Sequence, residues 1–118
     1  MMSITQTPYT IIVTMTATPT WLALSRAKRN HFTTTLLQPL FIQWSDRVQV
    51  RFFDAEAFTA RCSDVAIFTT LDLKAYYFLM EQLRDTPFFA KPYFILKDVI
   101  IGLENGYQAF EEIQQSIG

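Results

Sequence analysis

Apolar residues fall into four strand-like stretches separated by segments with helical spacing. Tyr9–Ala17 and Val48–Asp54 alternate between apolar and polar positions, which is the period of a strand with one buried face. Val65–Thr70 begins as an apolar run without alternation, which is typical of a strand that is buried on both faces. Pro92–Ile101 is the fourth predicted strand. The pattern therefore predicts a sheet with helices packed against it.

Two segments are predicted to be helical, one between the first and second strands and one between the third and fourth. Thr18–Trp44 carries apolar residues near one stripe, but its three consecutive threonines and Pro39 interrupt the helical signal. Pro39 is expected to end or bend this helix, because proline lacks an amide donor and clashes with the preceding turn. Asp72 is expected to cap a second helix, Leu73–Arg84.

The element order β-α-β-β-α-β predicts an α+β fold of the ferredoxin-like type, with a four-stranded antiparallel sheet. The connection rules place the first and third strands in the centre, with the second and fourth at the edges. A short amphipathic helix, Tyr107–Ile117, follows, and its Phe110 and Ile113 are expected to face the core. We predict one domain over residues 1–118, a length that can bury a substantial core.

One face of the predicted sheet is left without helices and is nevertheless apolar. Such a face is rarely left in water, so we predict a homodimer that packs the two open sheet faces together as a dimeric α/β barrel. The tail helix is the alternative cover. The residues expected on this face are Ile12, Phe53 and one of two alternating sets of the fourth strand, either Tyr93, Ile95 and Val99 or Phe94, Leu96 and Ile100.

Composition narrows the class of protein. Half of the residues are apolar and 15% are aromatic, which excludes disorder. A net charge of −1 does not resemble that of a nucleic-acid-binding protein. Cys62 is the only cysteine, so an intrachain disulfide is excluded. We find no secretory signal and no apolar stretch long enough to span a membrane, and we expect a cytoplasmic protein.

Three segments resemble the darcynin family of small bacterial proteins. They are TPTWLALSRAKRNHF (Thr18–Phe32), RFFDAEAFTARCSDVAIFTT (Arg51–Thr70) and DLKAYYFLMEQLRDTPFFAKPYF (Asp72–Phe94), in the same order and with matching lengths. The family is similar in organisation to dimeric α/β-barrel proteins, a group that includes cofactor-free monooxygenases, isomerases and haem enzymes. The resemblance therefore implies a fold, but it supplies no catalytic residues, because fold does not fix function.

Charged residues cluster around the loop between the second and third strands. Arg51, Asp54, Arg61 and Asp64 are candidate pocket residues, and two interpretations remain open. In the structural one, Arg61 pairs with Asp64 and holds the loop against the sheet. In the functional one, an arginine binds an anionic or carbonyl ligand while Asp54 acts as a base.

Three further candidates lie on the predicted helices. His31 is the only histidine and could act as a base, although a surface position is the simpler interpretation. Tyr76 and Tyr77 belong to an aromatic set that could form a core or line a pocket for a planar ligand. We predict no metal and no cofactor, since no ligand spacing supports either. The full aromatic set is Trp21, Trp44, Tyr76, Tyr77, Phe88, Phe89 and Tyr93.

The sequence leaves open whether the protein is an enzyme. The favoured hypothesis is a small dimeric binding or assembly module with an apolar, aromatic-lined pocket for a small apolar or aromatic ligand. The alternative is a cofactor-independent enzyme of the monooxygenase or isomerase type that acts on a small aromatic or carbonyl compound. The alternative requires an acid–base pair, for which His31 and Asp54 are the candidates.

Overall fold

The structure has four strands, which are β1 (Tyr9–Ala17), β2 (Val48–Asp54), β3 (Asp64–Thr70) and β4 (Phe94–Leu103). They form one antiparallel sheet in the order β2-β3-β1-β4, as the sequence predicts. The structure is a computed structural model that describes residues 7–117. Its strands β1 and β3 are central, and β2 and β4 form the edges.

The helices occupy the predicted intervals, with more breaks than the sequence indicates. Asp72 caps the helix Leu73–Arg84 as expected, and its carboxylate accepts hydrogen bonds from the amides of Lys74 and Ala75 at 3.0 and 3.3 Å. The helices are α1 (Pro19–Leu22), α2 (Arg26–Phe32), a π-helical turn (Thr33–Leu37), α3 (Gln38–Gln43), α4 (Leu73–Arg84), α5 (Pro87–Ala90) and α6 (Gly106–Ile117).

The core lies between one face of the sheet and the helices. The odd-numbered residues of β1, Ile11, Val13 and Met15, point to this side and are almost completely buried. Phe68 of β3 and Leu79 of α4 pack in the same buried cluster. Each of these side chains contributes roughly 1.5–3 kcal/mol when it is fully withdrawn from water. This face therefore supplies most of the apolar burial.

Pro39 does not end the helical segment between β1 and β2. The amide of Gln38 donates to the carbonyl of Thr33, five residues back, which widens the turn that precedes the proline. A wider turn accommodates a residue that has no amide hydrogen and clashes with a carbonyl in a regular α-helix. The hydroxyls of Thr33 and Thr35 donate to the carbonyls of Arg29 and His31.

The face of the sheet that no helix covers contains residues from both of the alternating sets that the sequence offers for β4. Thr14 pairs with Asp98 but Met15 pairs with Leu96, so one extra residue in β4 forms a bulge. The bulge reverses the alternation, and Ile95 and Ile100 consequently lie on the same face. The apolar residues of this face, which we call the open face, are Ile12, Phe53, Val65, Ile67, Ile95 and Ile100.

Helix α6 does not pack into the core, and the expectation for Phe110 and Ile113 was wrong. Their exposed fractions are 60% and 42%, and none of residues 106–117 is buried. The described residues extend over 60 × 31 × 21 Å with a radius of gyration of 17.1 Å, whereas a compact chain of this length measures about 13–14 Å. The amphipathic helix therefore presents its apolar stripe to solvent.

Candidate functional site

A cavity of about 320 Å³ opens between the sheet and the helices. Its volume falls in the range of small-molecule sites, and most of its wall is apolar. Every strand contributes one residue from the same end of the sheet, and the helical segments close the other side. The residues that line the cavity are Met15, Trp21, Thr33, Leu37, Gln38, Phe41, Phe52, Asp64, Phe88 and Phe94.

Trp21 is held in the wall by the turn that leads into α1. The hydroxyl of Thr18 accepts a hydrogen bond from the Trp21 amide at 3.3 Å, and the Thr18 amide donates to the Tyr93 carbonyl at 2.9 Å. These bonds tie the start of α1 to the start of β4. The Trp21 ring then packs at 5.3 Å from the Phe94 ring, measured between centroids. Phe88 also stacks on Phe94, with the ring centroids 4.6 Å apart.

The π-helical turn supplies another part of the wall. Leu37 is buried and Thr33 is half-buried, and both side chains line the cavity. Wide turns of this kind occur frequently at functional sites. The neighbouring Thr34 is exposed and does not line the cavity. Part of the cavity wall therefore comes from a segment with irregular helical geometry.

Asp64 is the only ionisable residue in the cavity wall. It stands directly opposite Met15 on β1, so it lies on the helix-covered face of the sheet. The Ser63 hydroxyl donates to Asp64 Oδ1 at 2.6 Å and accepts from the Ala17 amide at 2.8 Å. On its other side, Asp64 pairs with Asp54 of β2. The antiparallel register thus places two carboxylates side by side at the end of the sheet.

Burial raises the pKa of the Asp64 carboxyl above its ordinary value. The negative charges of Asp54 and Glu56 raise this pKa further, while the hydrogen bond from Ser63 lowers it. A carboxyl with a raised pKa in an apolar cavity is a recurrent feature of functional sites.

This pKa shift predicts that Asp64→Asn stabilises the protein near neutral pH. The native state holds the Asp64 proton more tightly than the unfolded chain, so stability is lost as pH rises from about 3.9 to the raised pKa of the folded state. Asparagine has no carboxyl group to ionise, so the variant does not lose this stability as pH rises. Thermal unfolding should therefore show a higher melting temperature for the variant than for the wild type at neutral pH. The difference between the two melting temperatures should disappear below about pH 3.9.

The control for this comparison is Asp46→Asn. Asp46 is exposed, and its Oδ1 atom lies 4.0 Å from Nε of the likewise exposed Arg47. Replacing it should therefore change the melting temperature little. A lower melting temperature for Asp64→Asn at neutral pH would contradict the electrostatic assignment.

The sheet separates the charged residues that the sequence analysis grouped together. Asp54 and Asp64 are neighbours, but Arg51 pairs with Ile67, which in turn pairs with Ile12, and Arg51 therefore lies on the open face. Its guanidinium lies 5.7 Å from the centre of the Phe53 ring. The predicted network of Arg51 with the two aspartates was therefore wrong. Side chains alternate between the two faces of a strand, so Arg51 and Asp54, three positions apart, point to opposite faces.

Arg61 does not hold the loop through an ion pair with Asp64. Arg61 is exposed, and within residues 7–117 the only ion pair joins Asp46 to Arg47. The structural interpretation of Arg61 was therefore wrong. The amide of Ala55 instead donates to the Ser63 carbonyl at 2.8 Å, which closes the loop through backbone bonds.

The remaining candidates lie away from the cavity. His31 is exposed on α2, and Tyr77 is exposed on α4. Tyr76 packs edge-on against Phe68 at 5.3 Å, and burial raises the pKa of its hydroxyl. Over residues 7–117, no three His, Cys, Asp or Glu side chains are arranged to hold a metal ion. In the same range, no helix is long and apolar enough to cross a membrane.

Several wall residues were absent from the candidates that the sequence singled out for the pocket. Trp21 and Phe88 belong to the aromatic set, and Phe94 to one of the two alternative sets of the fourth strand, but Leu37, Phe41 and Phe52 were not singled out. No local motif could have identified them, since the cavity arises from the way α1, α3 and α5 meet the end of the sheet.

The profile of the darcynin family, described as a domain of unknown function, matches residues 2–115. The chain belongs to the darcynin family. Darcynin 1 of Acinetobacter baumannii is 40% identical over 90 residues, which cover 76% of this chain and 99% of that protein. A darcynin homolog of Streptomyces avermitilis is 38% identical over 103 residues, covering 87% of this chain and 84% of that protein.

Solved structures support the same fold for this darcynin. A heme-binding protein of Thermus thermophilus matches with a TM-score of 0.77 and 13% identity, over 89% of this chain and 44% of that one. A mutant chlorite dismutase of Candidatus Nitrospira defluvii matches with a TM-score of 0.70 and 14% identity, over 87% and 41%. The chain thus spans about two-fifths of the length of these proteins. Identities this low establish the fold alone.

Proposed function

We propose that this darcynin is a small homodimeric binding module whose cavity takes a small, planar, apolar or aromatic compound. The 320 Å³ cavity with its aromatic wall carries the proposal, because apolar cavities of this size with few polar groups are the usual form of small-molecule sites. Two pairs of rings in the wall pack against each other, Phe41 with Phe52 and Trp21 with Phe94, each with centroids 5.3 Å apart. They provide aromatic surface against which a flat molecule can lie.

Haem does not fit the residues around this cavity. Haem iron is held in proteins by histidine, cysteine, tyrosine or, in cytochromes, methionine with histidine. The wall contains no histidine, cysteine or tyrosine, and Met15 is its only thioether. The single histidine, His31, is exposed on α2. A second cavity of about 340 Å³, lined by Met80 and Arg84 among others, likewise contains no such nitrogen, thiol or phenol ligand.

The proposed dimer covers two apolar surfaces that one chain leaves in contact with water. The open face exposes Ile95 and Ile100 to 51% and 54%, and Phe53 to 43%. The stripe of α6 exposes Phe110 and Ile117 to 60% and 76%. A second copy related by a two-fold axis can bury an equivalent patch on both chains at once. The matched solved chains are more than twice as long, which leaves room in them for a second unit of this size.

A methyl probe inside the cavity offers a direct test. The chain has four methionines, of which Met15 lines this cavity and Met80 does not. In methionine-methyl NMR, 1-naphthol should shift the Met15 resonance while leaving Met80 nearly unchanged. Thr33→Trp should abolish the shift, because the larger side chain fills the cavity from the π-helical turn.

Thr34→Trp is the matched control for this experiment. Thr34 makes the same kind of hydroxyl bond, to the Asn30 carbonyl at 3.1 Å, but it is exposed and outside the wall. This variant should bind 1-naphthol like the wild type. A Met15 resonance that no planar aromatic compound moves at millimolar concentration would overturn the proposal.

The second candidate is a cofactor-independent enzyme acting on a small aromatic or carbonyl compound. The observation that favours it is the Asp64 carboxyl, whose raised pKa would suit proton transfer inside the cavity. Oxygen uptake in the presence of hydroquinone, lost in Asp64→Asn but retained in Asp46→Asn, would identify an enzyme of the monooxygenase type.

A further inference from the structure

The cavity wall combines one acidic side chain with no basic one. Asp64 is its only ionisable residue, and no lysine, arginine or histidine lines it. The other polar groups of the wall carry no charge: they are the Thr33 hydroxyl, which donates to the Arg29 carbonyl at 3.0 Å, the amide of the exposed Gln38 and the indole N–H of Trp21. A ligand in the cavity therefore meets a single carboxylate as its only charged partner.

The aromatic rings of the wall favour the same sign of charge in a ligand. Trp21, Phe41, Phe52, Phe88 and Phe94 all contribute to it. The face of an aromatic ring carries negative electrostatic potential and attracts organic cations, most strongly where water is displaced. Aromatic walls next to a carboxylate are an arrangement that suits an ammonium group on an apolar body.

Asp64 has acceptor capacity left for such a ligand. A carboxylate offers about four lone-pair directions, and the Ser63 hydroxyl uses one of them on Oδ1. Within residues 7–117, no cationic side chain forms an ion pair with Asp64. Asp54, its cross-strand neighbour, adds negative charge nearby rather than neutralising it. An anionic ligand would be repelled at this end of the cavity.

We propose that the cavity selects small organic cations, in which an ammonium group pairs with Asp64 and an apolar or aromatic body lies among the rings. This inference deepens the proposed binding function and rests on it. It assigns Asp64 as the specificity-determining residue and primary or methylated arylalkylamines as the ligand class. The binding step is non-covalent and requires no further reactant.

Three compounds of similar shape and different charge test the proposal. They are 2-phenylethylamine, 2-phenylethanol and phenylacetate. Binding of each compound is measured at neutral pH from the shift of the Met15 methyl resonance. We expect the amine to half-saturate the shift at a concentration roughly tenfold or more below that of the alcohol, as a hydrogen bond to a charged group allows. Phenylacetate should be the weakest of the three.

Replacing the carboxylate should remove this selectivity while keeping the cavity. Asp64→Asn should bind the amine no better than the alcohol, and Asp46→Asn should retain the wild-type order. The inference would be overturned if phenylacetate bound as tightly as 2-phenylethylamine. It would also be overturned if the preference for the amine survived in Asp64→Asn. If 1-naphthol shifts Met15 but charge has no effect, only this inference fails. If none of the four compounds shifts Met15, the proposed function fails as well.

Discussion

Ile12→Arg should convert the proposed homodimer into a monomer. Ile12 lies on the open face at the centre of the sheet, opposite Ile67 of β3 and Ile100 of β4. An arginine there is exposed to water in a single chain, but it becomes a buried charge without a partner when two open faces meet. The effective cost of burying an ion is several kcal/mol.

The two-fold symmetry of the proposed dimer doubles this effect. Each of the two copies contributes one arginine to the same interface, so the penalty applies twice. We therefore expect the dissociation constant to rise by more than about a thousandfold, since each 1.4 kcal/mol corresponds to a factor of ten. Sedimentation velocity at micromolar concentration should show a dimer for the wild type and a monomer for the variant.

Thr20→Arg provides the control for the dimer experiment. Thr20 is exposed on α1, away from the open face, so this variant should remain dimeric. Circular dichroism should show that Ile12→Arg is still folded, because residue 12 points away from the core. A wild-type protein that sediments as a monomer across the micromolar range would exclude the dimer.

Phe68→Ala should produce the largest loss of stability among the substitutions considered. Phe68 is 2% exposed on the central strand β3 and packs against Tyr76 with the ring centroids 5.3 Å apart. Removing a buried phenylalanine costs roughly 3–5 kcal/mol, because apolar contact is lost and a cavity remains. For a chain of this length the melting temperature should fall by about 12–20 °C.

Phe58→Ala is the matched comparison, since it removes the same side chain from the surface. Phe58 is 89% exposed in the loop between β2 and β3. Its replacement should change the free energy of unfolding by less than about 0.5 kcal/mol. Chemical denaturation of the two variants measures the difference directly. Equal stabilities would mean that the helices do not cover this face of the sheet as described.

The sequence by itself determined the element order and the sheet topology. Alternation in Tyr9–Ala17 and Val48–Asp54 identified two strands with the bounds that the structure has. Asp72 likewise marked the start of α4. These features could be predicted because side-chain periodicity and helix caps are local properties, which a few neighbouring residues specify. The connection rules then placed β1 and β3 in the centre.

The tertiary structure alone decided which side chains meet. One bulge in β4 brings Ile95 and Ile100 to the same face, which a count of alternating positions cannot foresee. The position of Arg51 beside Phe53, away from Asp64, also follows from strand pairing rather than from closeness in sequence. The candidate site is non-local in the same way, because its wall comes from four strands and four helical segments that only the packed chain brings together.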